Sequence, residues 1–230
     1  MNSTSPDLLL EELPSSAYYI PDFLSRERED LILREIYRTP KVCWTQLRNR
    51  RLINFGGVPH PKGMIAEPLP TWLQAIVDEV NCHFPESSPA NHVLLNEYTP
   101  GQGIMPHVDG NLFFPTICTV NLGSHAILKF YDPPSGQALD ALPRYRFGLL
   151  LQPRSMLILR DELYHNYLHG IDEVSEDNVD DSVRNLSRLG VKVGEKMQRK
   201  TRVSLTIRNV PRTSKAKILL GARKKLPNIK

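Results

Sequence analysis

Two hydrophobic patterns divide the chain. In its first third, apolar residues recur at helical spacing. Ser25 can cap a helix running to about Thr39, with Glu27 and Glu29 in the first turn, where the helix dipole favours acids, and Pro40 ends it. A second helix is predicted from about Pro70 to His83. There Leu69, Trp72, Leu73, Ile76, Val77 and Val80 fall at i, i+3, i+4, i+7, i+8 and i+11 and make one apolar stripe. Trp72 lies on that stripe and is expected in the core. Between the helices, residues 41–66 read as irregular. They mix Trp44, Phe55, Gly56-Gly57, Pro59 and Pro61 with the basic cluster Arg48, Arg50 and Arg51.

From residue 91 the period changes. Short β-branched or apolar runs at 92–98, 116–122, 125–131, 146–152, 155–160 and 201–210 alternate with turn residues such as Pro100-Gly101, Pro133-Pro134-Ser135-Gly136 and Pro153. Regular short strands with such punctuation predict a β-sandwich or jelly roll. The expected class is therefore mainly β with flanking helices (α+β). Residues 172–181 carry six acids and no base, and are expected to be an exposed loop continuing to about Lys200. The expected organisation is a polar lead over 1–16, one domain over 17–210 with its β core at about 91–210, and a basic tail over 211–230.

Composition narrows the picture. At 230 residues the chain can bury one sizeable core, and 40% hydrophobic with 23% charged residues is ordinary for a globular domain. The net charge of +4 is uneven. Seven of the 29 basic side chains fall in 211–230, which has no acid, so 1–210 holds 22 bases against 25 acids and is net −3. A basic tail suits a polyanionic partner, a nuclear import signal, or simply solubility. Cys43, Cys82 and Cys118 are odd in number and form no CxxC pair, which points to a reducing compartment. The first residues have no basic n-region, and no run approaches the length of a membrane span. A monomer of the nucleus and cytoplasm, with no membrane partner, is expected.

Among seven histidines, only His107 opens an H-x-[DE] triplet, His107-Val108-Asp109. It follows the 92–98 strand and a Pro-Gly turn, where a jelly-roll strand would begin. His169 comes after the strands at 146–152 and 155–160, and in a jelly roll strands distant in sequence lie side by side. Two imidazoles and one carboxylate on one face of a metal form the facial triad of non-haem Fe(II) oxygenases, which leaves positions open for a keto-acid and O2. The distal carboxylate of such a keto-acid needs a cation, and a guanidinium binds it bidentately. Arg202 and Arg208 stand six apart on the last predicted strand. Even spacing on a strand puts them on one face with Ser204 and Thr206, while Leu205 and Ile207 face the other way. Asn96 and Tyr98 likewise share a face of the 92–98 strand.

The order Asn96-x-Tyr98, His107-x-Asp109, His169-Gly170, Arg202-x5-Arg208 resembles the AlkB family of Fe(II)/2-oxoglutarate-dependent dioxygenases. The blocks YYIPDFLS (18–25), WTQL (44–47), LPTWLQ (69–74), NHVLLNEYTPGQGIMPHVDG (91–110) and TRVSLTIRNVPR (201–212) extend the likeness over nearly the whole chain. The resemblance implies a double-stranded β-helix with a recognition lid at about 41–66. It implies Fe(II) on His107, Asp109 and His169. Arg202, Tyr98 and Ser204 would hold the distal end of 2-oxoglutarate, with Arg208 and Asn96 supporting its chelating end and O2 as co-substrate. His165 competes with His169, and the family's His-Gly order favours His169.

For substrate, the resemblance implies a methylated nucleic acid, RNA before DNA. Trp44 or Phe55 could stack on an unpaired base, or could pack the lid onto the barrel. Arg48, Arg50 and Arg51 could take phosphates, or could be solvated. Asn111 stands where base-repairing members carry an acid, which weakens cationic methylated bases as substrates and leaves neutral methylated bases open. The alternatives are a 2-oxoglutarate oxygenase acting on a protein or small molecule, and a methylated-nucleic-acid binding protein with weak turnover.

Overall fold

The computed structural model describes residues 17–134 and 144–214. The expected lead 1–16 and the tail from 215 lie outside the described residues. In chain order the elements are β1 (Ala17–Ile20), α1 (Arg26–Arg38), β2 (Thr45–Gln46), β3 (Arg51–Phe55), β4 (Met64–Ile65), α2 (Thr71–Val80), β5 (His92–Tyr98), β6 (Ile104–His107), β7 (Thr116–Leu122), β8 (Ala126–Asp132), β9 (Arg144–Leu151), β10 (Met156–Arg160), α3 (Asp161–His165), β11 (Leu168–Ile171), β12 (Glu176–Asn178), α4 (Leu186–Leu189), β13 (Lys196–Gln198), β14 (Arg202–Arg208) and β15 (Thr213–Ser214).

Two sheets carry the fold. The larger runs β1-β10-β7-β14-β5-β3-β2 and the smaller β6-β11-β8-β9. The larger sheet buries its odd-numbered β14 residues Val203, Leu205 and Ile207, with Val93, Leu95, Cys118 and Val120, against the stripes of α1 and α2. Its other face meets the smaller sheet, where Tyr19, Leu157 and Leu159 pack with Leu128, Phe130, Phe147 and Leu149. That face-to-face closure is the jelly roll the strand spacing predicts.

Both helices form where their patterns place them. Ser25 accepts a hydrogen bond from the Arg28 backbone N–H at 3.2 Å, satisfying one of the first-turn donors. Ser25→Ala should therefore cost about 1 kcal/mol, read as a lower chemical-denaturation midpoint at unchanged slope. In α2, Leu73, Ile76, Val77 and Val80 are buried, and Leu69 and Trp72 pack on the same cluster.

Three sequence expectations need correction. Residues 41–66 are not irregular throughout: β2 and β3 form a hairpin, and β3 pairs with β5 from Arg51↔Glu97 to Phe55↔Val93. The run Arg51–Phe55 is short and alternates poorly, so its strand character comes from the partner edge it joins. The acidic segment is not a free loop either. Val179, Val183 and Leu186 pack on Ile127 and Leu150, covering the outer face of the smaller sheet. Within it, Asp177 is buried against Arg199, which accommodates an acid that local composition placed in solvent. The body also continues past residue 210, since β15 pairs in parallel with β4 and Arg212 donates to the Pro61 carbonyl at 2.8 Å.

Candidate active site

The two sheets enclose a cavity of about 330 Å³ whose wall includes His107, Asp109, His169, Arg202, Ser204 and Arg208. The close pairing of β6 and β11 brings two of these together. His107 and His169 are direct cross-strand partners, with ring centroids 4.6 Å apart. Gly170 permits this approach, because a Cβ there would lie 2.8 Å from the Ile104 carbonyl oxygen and 2.9 Å from Pro106 N. The His-Gly order thus has a packing cause. Asp109 follows β6 by two residues, and its Oδ2 lies 3.4 Å from His169 Nε2. His165 is exposed at the end of α3 and does not line the cavity.

The electrostatics suit a metal. His107 Nδ1 lies 2.9 Å from the Met105 carbonyl oxygen, which can only accept, so Nδ1 carries the proton and Nε2 keeps its lone pair. Burial, followed by the neighbouring His169, lowers the His107 pKa to about 4, so the ring is neutral near neutral pH. Burial alone would raise Asp109. The charge of Arg208 and the bond to His169 outweigh it and hold the carboxyl well below the ordinary range. No group of three or more His, Cys, Asp or Glu among the described residues has its donors already gathered around one point. The three groups instead lean on one another, with Arg208 hydrogen-bonded to Asp109 Oδ1. In donor type and shared cavity, two imidazoles and one carboxylate fit Fe(II).

The wall opposite fits a dianionic keto-acid. As the period of two requires, Arg202, Ser204, Thr206 and Arg208 all line the cavity. Arg202 is buried and makes no ion pair with a carboxylate among the described residues. Its Nη2 donates to Asn121 Oδ1 at 2.6 Å, and its Nε has no partner. Burial lowers its pKa to about 10, so it stays charged at neutral pH. A buried guanidinium without a counter-charge is a strong demand for an anion. Tyr98 stands beside it, 5.6 Å from ring centroid to guanidinium carbon, and Asn96 lines the same wall.

The lid residues separate into two groups. Arg50 lines the cavity and donates to Asn96 Oδ1 at 3.1 Å, and Arg48 is exposed. Arg51 is committed elsewhere. It makes a two-point ion pair with Glu97 at 2.6 and 2.9 Å and lies 4.0 Å over the Trp44 ring. Trp44 and Phe55 pack against the helix-side core, Phe55 edge-on to Trp72 with centroids 6.0 Å apart. Trp44 and Phe55 pack the hairpin onto the barrel, whereas Arg51 is neither solvated nor free but ion-paired. Asn111 is exposed and does not line the cavity. Sequence reading missed Asn121 and Phe113. Asn121 was legible, because it shares the parity of Ile117 and Thr119, which line the cavity. Phe113, which lies 4.4 Å from the Arg208 guanidinium, has no local signal.

The family model described as the 2OG-Fe(II) oxygenase superfamily matches residues 38–208, and the chain belongs to that superfamily. It is a 2-oxoglutarate-dependent dioxygenase of the class that uses Fe(II), 2-oxoglutarate and O2. Within the class it sides with the AlkB proteins: a Danio rerio protein named probable RNA/DNA demethylase ALKBH6 is 48% identical over 218 residues, 93% of each chain. A Macaca fascicularis protein named tRNA (carboxymethyluridine(34)-5-O)-methyltransferase ALKBH8 is 27% identical over 228 residues, 90% of this chain and 32% of that one. The solved structure of OsALKBH1 superposes with a TM-score of 0.52 at 15% identity, covering 85% of this chain and 99% of that one, which supports the jelly-roll fold. No helix among the described residues is long and apolar enough to cross a membrane.

Proposed function

We propose that the protein oxidatively demethylates N-methylated bases in nucleic acid, RNA before DNA, with His107, Asp109 and His169 holding Fe(II). The observation that carries the site assignment is one cavity with a neutral-imidazole and carboxylate cluster on one wall and the unpaired, buried Arg202 on the other. Bound Fe(II), with 2-oxoglutarate and O2, supplies hydroxylation of a C–H bond, and 2-oxoglutarate leaves as succinate and CO2. Hydroxylation of an N-methyl group yields a hemiaminal that releases formaldehyde.

The chain's own groups do the positioning. Arg202 takes the distal carboxylate of 2-oxoglutarate, with Tyr98 and Ser204 beside it. Arg208 keeps Asp109 ionised and aligned. Asn96 carries the contact from the co-substrate wall to Arg50 in the lid hairpin. The enclosing walls keep bulk water from the reacting centre. Nucleic acid as substrate is supported by the names of the two relatives and by Arg50, which lines the cavity, with the exposed Arg48 in the same hairpin.

A panel of methylated RNA and DNA oligonucleotides, assayed with Fe(II) and 2-oxoglutarate, tests this directly. Formaldehyde should appear first with single-stranded methylated RNA. Arg48→Ala should raise KM for the oligonucleotide and lower the slope of its salt dependence by about one counterion. Succinate formation driven only by a protein or small molecule would refute the nucleic-acid reading.

A further inference from the structure

Arg202 is placed by an amide whose own orientation is fixed from behind. Asn121, on β7, is fully buried. Its Nδ2 donates to the Thr119 carbonyl at 3.3 Å, the Ser155 carbonyl at 3.3 Å and Ser155 Oγ at 3.2 Å. Two of these partners are carbonyls that cannot donate, so the amide nitrogen must face them and the amide oxygen must face Arg202. Ser155 is also fully buried, and its hydroxyl donates to the Gln152 carbonyl at 2.6 Å. The chain Gln152–Ser155–Asn121 therefore leaves one acceptor aimed at Arg202 Nη2 at 2.6 Å.

The residue type matters as much as its aim. Asparagine orients the guanidinium without neutralising it. An aspartate in the same place would accept the same bond and also cancel the charge. The other guanidinium whose field reaches Arg202 is Arg199, and Asp177 already neutralises it with bonds at 2.7 and 2.6 Å. Among the described residues, Arg202 is thus a buried cation at this end of the cavity with no ion-pair partner. A side chain anchored by neutral acceptors alone holds its full charge for an incoming carboxylate.

We propose that Asn121, held by Ser155, is the positioning residue that makes the cavity selective for a 2-oxo acid with a distal carboxylate. The proposal rests on the reading that Arg202 receives that carboxylate. The test titrates two ligands into the Fe(II)-loaded protein without oxygen: 2-oxoglutarate, and 2-oxopentanoate, which ends in a methyl where 2-oxoglutarate carries a carboxylate. In the unaltered protein 2-oxoglutarate should bind far more tightly. Asn121→Asp should weaken 2-oxoglutarate by at least about tenfold and leave 2-oxopentanoate nearly unchanged, so the ratio collapses. In turnover, KM for 2-oxoglutarate should rise more than kcat falls.

A purely structural defect would weaken both ligands alike and keep the ratio, and that result overturns the proposal. Ser155→Ala removes only a hydroxyl and covers the case in which the Asp variant does not fold. It should lower the ratio by about threefold, and an unchanged ratio there also overturns the proposal. Arg202→Met separates the two levels. If it leaves the ratio intact, the reading of Arg202 fails and the proposal fails with it. If it abolishes the preference while both Asn121→Asp and Ser155→Ala preserve it, only the role of Asn121 is wrong.

Discussion

Replacing His107 with alanine should lower Fe(II)-dependent conversion of 2-oxoglutarate to succinate by more than about a hundredfold, since groups that merely orient a metal ligand already contribute ten- to a hundredfold. The His107 Nδ1 contact is to the Met105 carbonyl, and the ring lies against that of His169 in the cavity wall, so no buried charge is stranded by its removal. The variant should therefore keep its fold, with a circular-dichroism melt close to that of the unaltered protein. Asp109→Ala should remove the same activity and behave differently in the melt. Arg208 is buried, and Asp109 is its ion-pair partner. Stranding that guanidinium should lower stability by about 3–5 kcal/mol. Both variants should also lose the binding of Co(II), followed by its absorption spectrum on the metal-free protein. Unchanged succinate formation in a purified, folded His107→Ala protein would sink the metal assignment.

Asp177→Ala should be among the most destabilising single substitutions outside the cavity, at about 3–5 kcal/mol, because it leaves Arg199 buried without its charge partner. Asp177 and Arg199 side chains are each 5% exposed. Arg199 also donates to the Asp172 carbonyl at 2.7 Å, and His125 Nε2 lies 3.3 Å from Asp177 Oδ2. A loss of that size should lower the melting temperature by roughly 10 °C for a chain of this length. Replacing both partners with Leu and Met should cost less than the single change, because no charge is then stranded. The pair also sets an acid sensitivity. Burial raises the Asp177 pKa, but the hydrogen bonds from Arg199 and the adjacent His125 ring outweigh it, so the folded carboxyl titrates below its unfolded value of about 3.9. Its stabilisation is full above that value and fades as pH falls through the folded pKa. Asp177→Ala should accordingly flatten the acid limb of stability against pH. An equally steep limb in the variant would show that other carboxylates carry it.

Much of the cavity wall was legible along single strands. β14 lies between β5 and β7 and is buried on both faces, so its period of two has no freedom to slip. Arg202, Ser204, Thr206 and Arg208 had to share a face opposite Val203, Leu205 and Ile207. Asn96 and Tyr98 followed on β5 by the same rule. The helices were legible for a similar reason, since a cap and a stripe are both properties of residues within a few positions of each other. The lid was not. Arg48, Arg50 and Arg51 are near-identical in sequence terms. One lies exposed, one reaches Asn96 in the cavity, and one is held by Glu97 and Trp44. The side of the hairpin each faces depends on the register of β3 against β5.

What the sequence determined by itself was therefore local: two capped or striped helices, the alternation of the main strands, and a set of residue types able to hold a metal and a dianion. What only the tertiary structure decided was adjacency. His107 and His169, with 61 residues between them, become neighbours because β6 and β11 pair. Asp177 becomes a core residue because Arg199 returns beside it, and Asn121 gains its role because Ser155 lies across the sheet. Each of these depends on a contact between distant segments, and backbone period carries information only along one segment at a time.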